Sequence, residues 1–153
     1  MGNAVAPVGP ASIYSTAGLV WRWGDPVGEV CQVYCRAGTC DLGAVARSLA
    51  EYGLTVTHQS DHLTAGWPGG PQFRVWLDVG EHVRAEAAEI GEGTPHEAAM
   101  RGCDARFDIG IDDLEEALDE INTLIEVQSA VQDASQGYLF LPWNDSLSGP
   151  WRE

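Results

Sequence analysis

Residues 54–79 read LTVTHQSDHLTAGWPGGPQFRVWLDV, and the break at Pro68-Gly69-Gly70-Pro71 decides the fold class. Two Gly and two Pro in succession cannot continue a helix or a strand, so the chain turns there. Ahead of the turn, Leu54, Thr55, Val56 and Thr57 alternate as a strand that runs on towards Trp67. Behind it, Phe73, Val75, Leu77 and Val79 put one face of a second strand in the core. Strand, tight turn and strand in that order make an antiparallel pair.

Working outward, residues 29–36 are dense in aromatic and β-branched residues, with Val30, Gln32 and Tyr34 alternating against Cys31, Val33 and Cys35. That density predicts a strand. Asp41 then precedes Leu42, Val45, Ala46 and Leu49, a helical stripe with an Asp to accept from the free first-turn amides and Gly53 to end it. Downstream, residues 81–90 are rich in Ala and Glu and close on Gly91. They read as a helix, although Val83, Ala85 and Ala87 also alternate as a strand would. Phe107, Ile109 and Ile111 predict a further strand. Residues 112–136 then predict one long helix, with capping-box spacing at Asp112/Glu115 and Asp113/Glu116. Its apolar stripe is Leu114, Leu118, Ile121 and Ile125, widened by Ala117 and Leu124, with Ile121 at the centre of the buried face. Residues 138–141 predict a closing strand.

The expected fold is therefore α+β, an antiparallel sheet with helices packed on one face. The element order is β-α-β-β-α-β, the ferredoxin-like order, plus a C-terminal α-β extension. Residues 1–24, with Pro7, Gly9 and Pro10 close together, are expected to be a flexible arm. Residues 25–145 form the single domain and 146–153 a tail.

Eight basic residues, none of them Lys, stand against 23 acids, for a net charge of −15. A nucleic-acid binder neutralises phosphates with Lys and Arg, so no nucleic-acid partner is expected. No apolar run approaches membrane-spanning length. Four Cys without a basic, apolar leader suit reduced thiols, so the expected compartment is the cytoplasm. The charge is unevenly placed: residues 1–77 carry five acids and four Arg, residues 78–153 carry 18 acids and four Arg. From Asp108 to Asp133, both included, stand nine acids and no base.

Candidate chemistry is sparse. Cys31, Cys35, Cys40, His58 and His62 are zinc-compatible residue types, but Cys31 and Cys35 on one strand face stand about 13 Å apart and cannot share an ion. Buried thiols are expected, and no metal or cofactor. Cys103, His96 and Asp104 are sequence neighbours without the elbow that a nucleophile needs, and phosphate-binding loops are absent from the sequence. No catalytic residue is assigned.

One constellation remains. At about 100° per residue, Asp112, Glu115, Glu116, Asp119 and Glu126 all fall within about 60° of the Asp112 direction, opposite the apolar stripe. With no base at i+4 these acids repel. They predict a binding ridge for a basic protein partner, and the expected function is an acidic inhibitor of immunity type that blocks a toxin or nuclease. A small α+β enzyme or ligand-binding domain with a Cys/His/Asp cleft is the rival reading. A structural homodimer is the third.

Overall fold

The computed structural model describes residues 29–150; the arm expected over 1–24 lies outside the described residues. Strand β1 (Glu29–Cys35) leads to helix α1 (Leu42–Glu51), followed by β2 (Thr55–His58), β3 (Leu63–Gly66) and β4 (Gln72–Val79). Helices α2 (Glu81–Gly91) and α3 (Glu97–Arg101) precede β5 (Ala105–Ile111). Then come α4 (Leu114–Asp119), α5 (Ile121–Ser135), β6 (Tyr138–Leu141) and β7 (Ser146–Ser148). The α+β antiparallel reading holds: seven strands form one sheet in the order β2-β3-β4-β5-β1-β6-β7, every neighbouring pair antiparallel.

Three expectations are corrected. First, a ferredoxin-like arrangement would lay β4 directly beside β1, whereas β5 separates them, pairing Phe73↔Ile111 on one side and Glu29↔Ile111 on the other. The reason is burial. All seven residues of β5 are buried, which only a central strand can satisfy on both faces. Second, the strand expected from Leu54 towards Trp67 is two strands, since residues 59–62 reverse the chain through Gln59 N–H donating to the His62 carbonyl at 2.9 Å. Third, Ser146, Leu147 and Ser148, expected in a terminal tail, pair with β6 as the edge strand β7.

The helices also lie on both faces, not one. Odd-numbered residues of the central strands, such as Val33, Phe73, Val75, Phe107 and Ile109, form the larger core with α1 and α5. On the other face Tyr34 packs with Val83 and Ala87 of α2, Met100 of α3 and Cys103. A strand apolar at both parities needs cover on both sides, and the Val83, Ala87, Ile90 spacing of α2 supplies it, which settles residues 81–90 as a helix. Asp41 caps α1 as expected, accepting from Ala44 N–H at 2.9 Å.

Candidate functional site

The long helix expected over 112–136 breaks at Glu120, whose φ of −110° and ψ of 51° leave the helical region. This break reorients the whole stripe. Ala117, Leu124, Val127, Ala130 and Val131 are buried, while Leu118, Ile121 and Ile125 are 46%, 41% and 47% exposed. The expectation that Ile121 centres the buried face is overturned. Small residues let α5 approach α1 and the sheet closely, and its buried Gln side chains have dedicated partners. Gln132 Nε2 donates to the carbonyls of Gly137, Ser148 and Gly149 at 3.1–3.3 Å, and Ser48 Oγ donates to the Ala130 carbonyl at 2.7 Å. A hydropathy stripe weights Ile above Ala and cannot see those bonds.

Beside the exposed set stand the acids. Asp113 caps α4, accepting from Glu116 N–H at 3.1 Å, and the first turn of α4 carries Glu115 and Glu116. Acids at a helix N-terminus are favoured by its dipole, which explains how the charge is tolerated there. Glu115, Glu116 and Asp119 are exposed and form no ion pair to another described residue. The other two expected ridge residues are engaged within the fold. Asp112 is paired with Arg74, and Glu126 accepts from Trp67 Nε1–H at 3.2 Å. Thus the ridge forms only in part, with three acids presented outward and two tied to the sheet and the turn.

The turn after β3 completes the site. Gly69 takes a φ of +80°, which suits glycine, and Gly70 N–H donates to the Trp67 carbonyl at 3.0 Å. The Trp67 ring lies over Gly53, where an added side chain would meet it at 3.1 Å, and is itself 40% exposed. Between this turn and the α4–α5 break runs an open groove of about 480 Å³, lined by Trp67, Pro68, Pro71, Glu116, Asp119, Glu120 and Thr123. Among the described residues, four of the five large exposed apolar side chains, Trp67, Leu118, Ile121 and Ile125, belong to the turn or to these two helices. The sequence reading missed Trp67, Leu118, Ile121, Ile125 and Glu120. The signal that marked them was the run of Val127, Ala130, Val131 and Ala134, a second and more buried stripe in the same segment.

A second cluster of charge sits on the opposite sheet face. Arg106, 2% exposed, contacts Glu86 of α2, Asp78 Oδ2 at 2.9 Å and Asp108 Oδ1 at 2.8 Å. The Asp108 approach is close in distance but off the N–H direction, so it is an ion pair and not an aligned hydrogen bond. Tyr34 Oη donates to Glu86 at 2.6 Å, and His82 Nε2 lies 3.0 Å from Asp78. Burial alone would lower the Arg106 pKa, but Asp108, Glu86, Tyr34 and Asp78 together push it up, so it stays charged. Burial, reinforced by Glu86, holds the Tyr34 phenol well above its usual range. The cluster pins α2 to the sheet.

The other candidate chemistry disperses. Burial pushes the Cys31 and Cys35 thiols up to about 12 and Cys103 up to about 11, the opposite of an activated nucleophile. Cys103 Sγ–H donates to the Ala99 carbonyl, His96 lies against the Tyr138 ring, and Asp104 accepts from Ala37 N–H at 2.8 Å. Each member of that trio is therefore engaged elsewhere. His62 lies against Trp76 and Asp61, and among the described residues no three His, Cys, Asp or Glu converge to hold a metal ion. No described helix is long and apolar enough to cross a membrane. Compared with protein-family models, curated proteins and solved structures, this chain matches none.

Proposed function

We propose that this protein is an acidic binding protein without catalytic activity, an inhibitor of immunity type that engages a basic protein such as a toxin or nuclease through α4, α5 and the Trp67 turn. The observation that carries the reading is the exposed apolar set Leu118, Ile121 and Ile125, beside the exposed acids Glu115, Glu116 and Asp119, which form no ion pair to another described residue. An apolar centre with a charged rim is the anatomy of a protein interface, and a solvated face would carry the acids without the apolar set. Trp67 adds the aromatic anchor that binding hot spots favour. The acids would steer a basic partner and imitate the phosphate charge of a nuclease substrate.

The test separates the acids from the apolar set. Against a basic partner isolated from the native host and purified, a Glu115→Arg/Glu116→Arg/Asp119→Arg variant should associate about tenfold more slowly, with weakened salt dependence. Leu118→Ser/Ile121→Ser should leave the association rate alone and speed dissociation. Unchanged kinetics in both variants would show that the partner binds elsewhere or that the face is only solvated.

A further inference from the structure

Three ionisable residues line the groove of about 480 Å³ between the Trp67 turn and the α4–α5 break, and all three are acids: Glu116, Asp119 and Glu120. Each is exposed, and none forms an ion pair to another described residue. The helix ends at the break offset one another, because α4 brings its C-terminus and α5 its N-terminus, each about half a charge and of opposite sign. The three carboxylates therefore set the sign of the field in the groove. Thr123 lines it too, only 5% exposed, with a hydroxyl that forms no hydrogen bond to another described residue. That oxygen is not sealed within the protein, so it opens on the groove, where an incoming donor can reach it. On the turn side the groove is walled by Trp67, Pro68 and Pro71. The indole of Trp67 is fixed at both ends, by Nε1–H donating to Glu126 at 3.2 Å and by the close approach of its far edge to Gly53, yet it stays partly exposed.

We propose that this groove seats an arginine side chain of the basic partner, its guanidinium against the Trp67 ring and hydrogen-bonded among Glu116, Asp119, Glu120 and the Thr123 hydroxyl. The inference rests on the reading of α4, α5 and the Trp67 turn as the partner-binding face, and it names what the partner presents there. Three observations choose the occupant. The acids surround the groove without converging, since among the described residues no three His, Cys, Asp or Glu meet to hold a metal ion. A compact cation would satisfy one of them, whereas a planar fork with five N–H donors spans several and leaves one for Thr123. The aromatic and proline wall suits a flat, weakly hydrated cation that stacks on an indole, over the strongly hydrated ammonium of Lys. No base lines the groove, so a free amino acid would bring a carboxylate with nothing to receive it, while a residue within a chain brings the guanidinium alone. A second copy of this chain is the wrong source of that residue, because it would set a net −15 against another −15.

The test needs no partner: the full chain is titrated with acetyl-arginine amide and followed by NMR of its amide and indole N–H groups. The probe should shift the Trp67 indole N–H and the amides of residues 116–123, with acetyl-lysine amide needing about tenfold more to reach the same shift and free arginine binding more weakly than the blocked form. Glu116→Gln/Asp119→Asn should weaken arginine binding about tenfold, and Thr123→Val about fivefold with recovery in Thr123→Ser. Absent shifts, shifts spread evenly over the acids of the protein, or an equal response to the lysine probe overturn the arginine seat. So does binding that ignores both the Thr123→Val and the Glu116→Gln/Asp119→Asn changes, and free arginine binding as tightly as the blocked form overturns a chain-borne source. Any of these results leaves the partner reading standing wherever Glu115→Arg/Glu116→Arg/Asp119→Arg still slows association, so the two fail separately.

Discussion

Arg106 shows what a single charge does when it is buried beside three carboxylates. It sits on the central strand between Asp78, Glu86 and Asp108, and removing it would leave those acids uncompensated under α2. Arg106→Met should therefore cost about 3–5 kcal/mol in urea unfolding. Arg106→Lys should recover only part of it, because one ammonium cannot serve three acids as a guanidinium fork does. A loss under 1 kcal/mol for Met would mean the acids are solvated. This cluster was not legible beforehand: a charge at alternate strand positions reads as solvent-facing, and Asp78 and Glu86 are remote in sequence. The buried thiols make a second prediction at this scale. Their folded values, about 12 for Cys31 and Cys35 and about 11 for Cys103, lie above the ordinary 9.0. Above pH 9 the unfolded chain ionises its thiols while the folded chain does not, so their stabilising contribution is complete below that pH and lost as pH climbs to about 12. Unfolding midpoints measured across that window should fall, and less so in a Cys31→Ala/Cys35→Ala chain.

Helices α4 and α5 are where the linear pattern and the packed structure part. The sequence was right that helix fills most of residues 112–136 and that an apolar stripe faces the core, but the helix is two pieces, and of the two capping registers it offered Asp113 is the one used. It chose the wrong stripe. Leu124→Ala should cost about 2–5 kcal/mol, since that side chain is buried, while Ile121→Ala should stay within about 0.5 kcal/mol. Denaturant melts that rank the two in the opposite order would return Ile121 to the core. At α1 the pattern and the structure agree, and Asp41→Ala should cost about 1 kcal/mol through the lost cap bond to Ala44 N–H. Helix α2 was ambiguous as a sequence because Val83, Ala85 and Ala87 satisfy both periods. The choice fell to the apolar Tyr34 face, which needed covering.

Across the molecule, a net −15 concentrated after residue 78 makes self-repulsion a standing cost. Thermal midpoints should rise between about 0.01 and 0.15 M salt as the Debye length shrinks from about 30 to 8 Å. The Glu115→Arg/Glu116→Arg/Asp119→Arg variant should melt no lower than wild type and respond less to salt; a lower midpoint would mean those acids hold the fold together. By itself the sequence determined the α+β class, the antiparallel pairing at Pro68 to Pro71, the Asp41 helix start, the start of α4 to within the Asp112 and Asp113 registers, and the acidity of the α4 surface. All of these follow from local sterics, short-range hydrogen bonding or a count of charges. Only the tertiary structure decided that β5 lies between β4 and β1, that helices cover both faces, and that Leu118, Ile121 and Ile125 face outward. Those outcomes depend on which surfaces meet across the whole chain. Close packing of small residues and partners for buried Gln and Arg outweighed the hydropathy of three exposed side chains.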